Sequence, residues 1–221
     1  MRKIILNLLL IAAVSSTAVS CKDNKTGGAT NAEDAAMASE MASDYDVSPS
    51  ASEITWKGTK PTGSHNGTIK ILSGTISVGN DILEAGEFVI DMTTISSDDL
   101  VGEDKASLEA HLMGTVQGKE GDFFDVTKYP TAKFVFTDIT DNDGKKMING
   151  NLTIKEDTKN VSFPATVSMD GNQLTITSES FNIDRTEWNV NYGSNSVFDD
   201  LGDKFISDAI ELQVKIVANK I

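Results

Sequence analysis

From about residue 52 onward, apolar and polar side chains alternate with a period of two. That spacing turns one face of a β-strand to a core and the other to water. Ile54 and Trp56 share one side of the first run, and His65, Gly67, Ile69 and Ile71 share one side of the next. Ile76 and Val78 lead to a Gly79-Asn80-Asp81 turn, after which Phe88, Ile90 and Met92 oppose Glu87, Val89 and Asp91. Phe134 and Phe136 run through Asp141-Asn142-Asp143-Gly144 into Ile148, Gly150, Leu152 and Ile154. Val161, Phe163, Ala165, Val167 and Met169 alternate with Ser162, Thr166 and Ser168. Asp170-Gly171-Asn172 turns into Leu174 and Ile176, and a last run carries Ile210, Leu212, Val214, Ile216 and Ala218. About eight or nine short strands, each apolar on one side, predict an all-β sandwich or barrel.

One stretch breaks the alternation. Leu108, His111 and Leu112 stand three and four residues apart, so a helix there shows all three on one face. Asp122-Phe123-Phe124-Asp125 and Lys128-Tyr129-Pro130 follow, and the residue before proline is pushed toward extended geometry. The segment from Leu100 to Phe124 therefore reads as a short helix and an aromatic plug leading back into strand. Trp188, Tyr192 and Phe198 fall in a long loop that either folds over an open end or packs outside.

Ahead of the strands the chain changes character. Residues 1–20 start Met1-Arg2-Lys3 and continue in an apolar run too short to span a bilayer, which predicts a secretory signal peptide. Ala18-Val19-Ser20-Cys21 resembles a bacterial lipobox, so Cys21, the one cysteine of the chain, is expected to be lipidated. A membrane-anchored envelope lipoprotein follows, facing the periplasm or the cell surface at the outer membrane. Residues 22–44 are small, polar and acidic, and are expected to form a flexible tether after Cys21. Residues 45–221 are long enough for one core and too short for two.

Net charge is −14, and losing Arg2 and Lys3 with the leader takes it to −16. An acidic chain without a basic stripe is not built for nucleic acid. A single cysteine removes an intramolecular disulfide, and no Gly-x-Ser-x-Gly elbow occurs, so no enzyme chemistry is expected. Two histidines far apart give a weak metal signal, and neither a metal nor a cofactor is expected; a His-based metal site completed by carboxylates, or a hydrolase, stays as the third alternative, and needs His65 and His111 within ligand distance of each other and of a carboxylate.

The ordered series His111-Leu112, Asp122-Phe123-Phe124-Asp125, Lys128-Tyr129-Pro130-Thr131 and Phe134 resembles the signature of the YceI-like family of bacterial envelope proteins. Ser64-His65-Asn66-Gly67, Asn151 to Lys155, Asp184-Arg185-Thr186 and Leu201 to Lys204 agree with it. The chain departs from compact members in the stretch Gly114 to Gly121. The resemblance implies a lipocalin-like antiparallel β-barrel of about eight strands with a short helical cap, holding a long amphiphile such as a polyisoprenoid. On that basis the expected tail-binding residues are Trp56, Ile69, Ile71, Phe88, Ile90, Phe123, Phe124, Phe134, Phe136, Phe163, Leu212 and Val214. The same side chains without a ligand would make a solid core, and the protein would then be an envelope stress or interaction module. His65, His111 and Arg185 are expected either to hold a polar head group or to be structural, the histidines bonding backbone or carboxylate and Arg185 pairing with Asp122, Asp125 or Asp203. A homodimer through the cap fits the pattern, with no residue specifying it.

Overall fold

The computed structural model describes residues 28–142 and 144–221; the expected signal peptide and Cys21 lie outside the described residues. Eleven strand segments make one antiparallel sheet closed into a ring of eight positions. Strands β4 (Gly63–Gly79), β5 (Ile82–Ser97), β6 (Thr131–Asn142), β7 (Lys145–Ile154), β8 (Asp157–Asp170) and β9 (Gln173–Ser178) pair in sequence order. β9 pairs with β11 (Ala209–Lys220), and the ring closes where β2 (Ser43–Val47) and β3 (Glu53–Lys60) each bridge β11 and β4. β10 (Phe181–Asp184) continues the course of β9 along the first half of β11. The β4–β5 hairpin turns at Asn80 and Asp81, both at positive φ as a two-residue hairpin requires.

The inward faces divide the interior in two. In the half remote from the helix, Ile76, Ile148, Leu174, Ile176 and Ile216 are essentially inaccessible, and the Phe134 ring meets Phe88 at 5.2 Å, Phe163 at 5.5 Å and Phe136 at 5.6 Å. Gly150 lies against Phe134, and no Cβ fits there without displacing the ring. Large rings over glycines fill this half to the density of a solid core. Ile71, Phe88, Phe134, Phe136, Phe163 and Val214 were expected to line a tail slot; they are instead buried in this packed half.

The other end carries the one α-helix of the described residues, α1 (Gly102–Met113). Glu103 and Asp104 stand in its first turn, where negative charge meets the helix dipole favourably. Its last carbonyls all find donors. Ala110 and His111 accept from Thr115 and Gly114, with Gly114 at φ 70, while Leu112 and Met113 accept from Phe124 and Val126. The helix end is thus stitched to the aromatic segment. Glu109 accepts from the Ser97 N–H at 2.9 Å and Lys105 donates to the Ser97 carbonyl at 2.6 Å, fixing α1 to the end of β5.

The expected flexible tether is corrected over residues 28–44. β1 (Thr30–Asn31) pairs with Asn160 and Lys159 of β8. The Glu33 N–H donates to Asn151 on β7, the Ala36 N–H to the Phe136 carbonyl on β6, and the Ser39 N–H to Glu84 on β5. The segment is a strap laid across four strands before it enters β2. Its bonds run mainly from its own backbone, which explains why small polar side chains gave no sign of docking.

Candidate functional site

The capped half is hollow. A cavity of about 400 Å³ opens between α1, the Phe123-Phe124 segment, the end of the β3–β4 hairpin and the loop between β10 and β11. Its wall is apolar: Ile54, Trp56, Ile69, Ile90, Met92, Leu152 and Leu212 from the strands, and Leu108 and Leu112 from α1. Polar groups gather at the rim, where His65, His111, Lys60 and Lys204 lie.

The boundary between hollow and solid halves is stepped, for Leu152, paired with Phe134, and Ile54, paired with Val214, still line the cavity. On β5 the lining ends at Ile90 and the next inward residue is Phe88; on β6 it ends at Ala132 before Phe134; on β11 at Leu212 before Val214. Strand register places these side by side, with Ile90 opposite Ala132 and Phe88 opposite Phe134. Of the tail-binding residues expected from sequence, Trp56, Ile69, Ile90, Phe123, Phe124 and Leu212 are on the cavity wall, and the other six are below it.

Each histidine holds a carboxylate. His65 Nδ1 lies 2.8 Å from Asp99, whose other oxygen accepts from the Asn66 N–H at 3.0 Å and from the Ser97 hydroxyl at 2.9 Å. His111 Nε2 lies 2.7 Å from Asp122, with Phe123 and Tyr192 edge-on to its ring at 5.1 and 4.9 Å. The two imidazoles line one mouth and tie β4, β5, α1 and the aromatic segment together. Among the described residues no three His, Cys, Asp or Glu side chains converge as metal ligands do.

The Asn66 amide, followed by the His65 ring, holds the Asp99 carboxyl at a pKa of about 2, below its ordinary 3.8. A depressed acid adds stability above its unfolded value and loses it as pH falls through its folded one. Wild-type protein is therefore expected to lose the Asp99 contribution between pH 4 and pH 2, and Asp99→Asn to flatten the stability profile there. Urea denaturation across that window measures it; an unchanged slope in the variant counts against the clamp.

Arg185 is corrected in its partners. It is 2 % exposed and donates through Nε to the Ser207 carbonyl at 3.1 Å, through Nη1 to Val190 at 2.5 Å and through Nη2 to Ile206 at 3.0 Å. Its carboxylate neighbour is Asp208, at 3.5 Å, rather than Asp122, Asp125 or Asp203. Burial pulls the guanidinium below its ordinary pKa, opposed by Asp208 and Asp184. Arg185 thus knots the mouth loop from inside while also lining the cavity, where the other cations are Lys60, which the sequence did not single out, and Lys204, which it placed only within the C-terminal motif. Trp188, one residue of the long loop, is fully buried in the cavity wall and donates from Nε1 to the Leu152 carbonyl at 3.0 Å. Tyr192 also lines the mouth, while Phe198 is about half exposed.

A closed antiparallel barrel with one capped apolar cavity belongs to the lipocalin-like class. Residues 45–218 match the model of the YceI-like domain, and the chain belongs to that family. It resembles the crystal structure of BcnA from Burkholderia cenocepacia with a TM-score of 0.62 and 22% identity, covering 78% of this chain and 99% of that one. A polyisoprenoid binding domain from Saccharophagus degradans matches with a TM-score of 0.56 and 10% identity over 80% of this chain and 98% of its own. A UPF0312 protein of Pseudomonas putida is 33% identical over 107 residues, 48% of this chain and 50% of that relative. The chain thus spans about half the length of the curated relative it matches.

Proposed function

We propose that the protein is a membrane-anchored carrier or reservoir that holds the hydrocarbon tail of one amphiphile in the mouth-half cavity, with the head group at the rim. The observation that carries this reading is the separation of surfaces within a single 400 Å³ cavity, apolar along its wall and polar at its mouth. That volume lies within the ~300–1,000 Å³ range of small-molecule sites. Burying a tail gains ~25 cal/mol per Å² of apolar surface, so affinity needs no further energy source. The family membership and the polyisoprenoid-binding description of the Saccharophagus degradans domain point to an isoprenoid or similar lipid. His65, His111, Lys60 and Lys204 suit an oxygen-rich or anionic head. Nothing in the reading calls for bond making or breaking.

The anchor is Cys21, acylated after removal of residues 1–20, which places the barrel in the bacterial envelope. Native mass spectrometry after mild extraction is expected to show one lipid per barrel, and protein that is empty under those conditions overturns the carrier reading. The same spectra are expected to show acyl mass on the first residue, lost together with membrane association in Cys21→Ser. A Cys21→Ser protein that stays in the membrane fraction overturns the anchor and leaves the cavity reading untouched.

A further inference from the structure

We infer that the seam between β8 and β10 is a side door into the cavity, and that strand β1 of the N-terminal strap is the latch across it. The inference rests on the carrier reading and specifies where cargo enters and leaves. β8 is paired with β9 only over residues 165–170, and β10 is paired with β11 on one side. Among the described residues no strand pairing joins residues 157–163 of β8 to β10. The wall therefore forks where the Glu179 N–H donates to the Pro164 carbonyl at 2.9 Å. In an antiparallel strand the N–H and C=O of one residue point the same way, so Pro164 turns its missing donor toward the seam. A proline inside a strand belongs at such an open edge.

Side chains span the fork in place of a ladder. At its closed end Phe163 and Phe181 stack at 4.6 Å with 18° between their rings. Toward the mouth, under the 3-10 turn Arg185–Trp188, Lys159 meets Glu187 at 3.1 Å and Asn189 Nδ2 donates to Asp157 at 2.8 Å. Ile183 and Trp188, which flank the seam, line the cavity. The strap lies along the open edge: β7 takes one edge of β8, and Thr30 and Asn31 pair with Asn160 and Lys159 on the other. The same register carries Ala29 to the level of Val161, and Ala29 packs against the barrel core although Gly28 and Thr30 beside it are exposed. Elsewhere around the cavity, parting two strands breaks a continuous ladder. At the seam it breaks the short β1 pairing and a few side-chain contacts, and segments held so lightly open first. Withdrawn, β1 leaves a gap of about one strand spacing, ~4.8 Å, through which a tail passes sideways into the cavity.

The test follows transfer of cis-parinaric acid, a fluorescent polyene fatty acid, from loaded full-length protein to excess phosphatidylcholine vesicles by stopped flow. Asn31→Cys/Lys159→Cys, made together with Cys21→Ser so that no other thiol competes, staples β1 to β8. Paired antiparallel residues stand ~4.5–5.5 Å apart at Cα, within reach of a disulfide. Transfer is expected to slow ~10-fold or more on oxidation and to recover on reduction, the equivalent of ~1.4 kcal/mol on the opening step. Thr30→Pro/Asn31→Pro, which takes both N–H groups from β1 and no core atom, is expected to speed transfer ~10-fold. Affinity is expected to stay within ~2-fold in both proteins, because entry and exit share the door. One transfer rate in the oxidised and reduced staple overturns the side door and leaves the carrier reading standing. So does a proline variant whose melting temperature falls while its transfer rate does not change; if that variant does not fold, the staple decides alone. A wild type that binds no cis-parinaric acid overturns the carrier reading and the door with it.

Discussion

Arg185→Ala is expected to destabilise the barrel by about 3–5 kcal/mol, the range found when one partner of a buried ion pair is removed. The guanidinium is 2 % exposed and bonds three carbonyls, those of Val190, Ile206 and Ser207, which lie on two separate stretches of the mouth loop. Alanine leaves those three acceptors without their donor and the Asp208 carboxylate, 3.5 Å away, without its counter-charge, in a place water reaches poorly. In a domain of this size the loss corresponds to a melting temperature lower by ~10 °C or more. Arg185→Lys is expected to recover little, since one ammonium cannot reach the three carbonyls that a planar fork bridges. Urea unfolding of the three proteins provides the measurement. If alanine costs under ~1 kcal/mol, the side chain is not the knot of the loop and becomes available to a ligand head group.

Trp188→Ala is expected to have an effect of the same order, about 3–5 kcal/mol, by a different route. The indole is wholly buried, forms part of the cavity wall and bonds the Leu152 carbonyl at the end of β7. Its 3-10 turn, Arg185–Trp188, is held at the start by Asp184 accepting from the Thr186 N–H, and outside by Lys159 pairing with Glu187 at 3.1 Å. Removing the ring widens the cavity toward β7 and β8. Stability and ligand selection therefore change together, in contrast to Arg185→Ala. Trp188→Phe is expected to keep most of the packing and to lose ~1 kcal/mol for the orphaned carbonyl. A calorimetric difference between alanine and phenylalanine of less than ~1 kcal/mol would mean that the indole does not close the wall.

The strands were legible because alternation marks which residues point inward. Alternation does not say at what height along a barrel a residue lies, so Ile90 and Phe88 looked equivalent although one lines the cavity and the other closes it. The missing cue was present in the glycines: Gly150 occupies an inward position between Ile148 and Leu152, and a gap of that kind marks where a large ring from the next strand must lie. The helix and the aromatic segment were readable from Leu108, His111 and Leu112 together with the Tyr129-Pro130 step, and α1 ends near where those residues suggested. The partner of Arg185 was hidden because Asp208 lies 23 residues away and meets it only once the loop has folded back. Val190 and Ile206 of the wall were hidden for the same reason, since they belong to a loop without a period, and Ile183 because its strand β10 is only four residues long.

The strap sets how the barrel is moored. Six residues lie between Cys21 and Gly28, where the described strap begins two residues ahead of its pairing with β8, and a chain of that length spans at most ~25 Å. If Cys21 carries the acyl chain proposed above, the bilayer stays within one barrel length of the wall. On the carrier reading proposed above, cargo would pass between membrane and cavity by a swivel in place, at a local concentration that dilution of the protein does not alter.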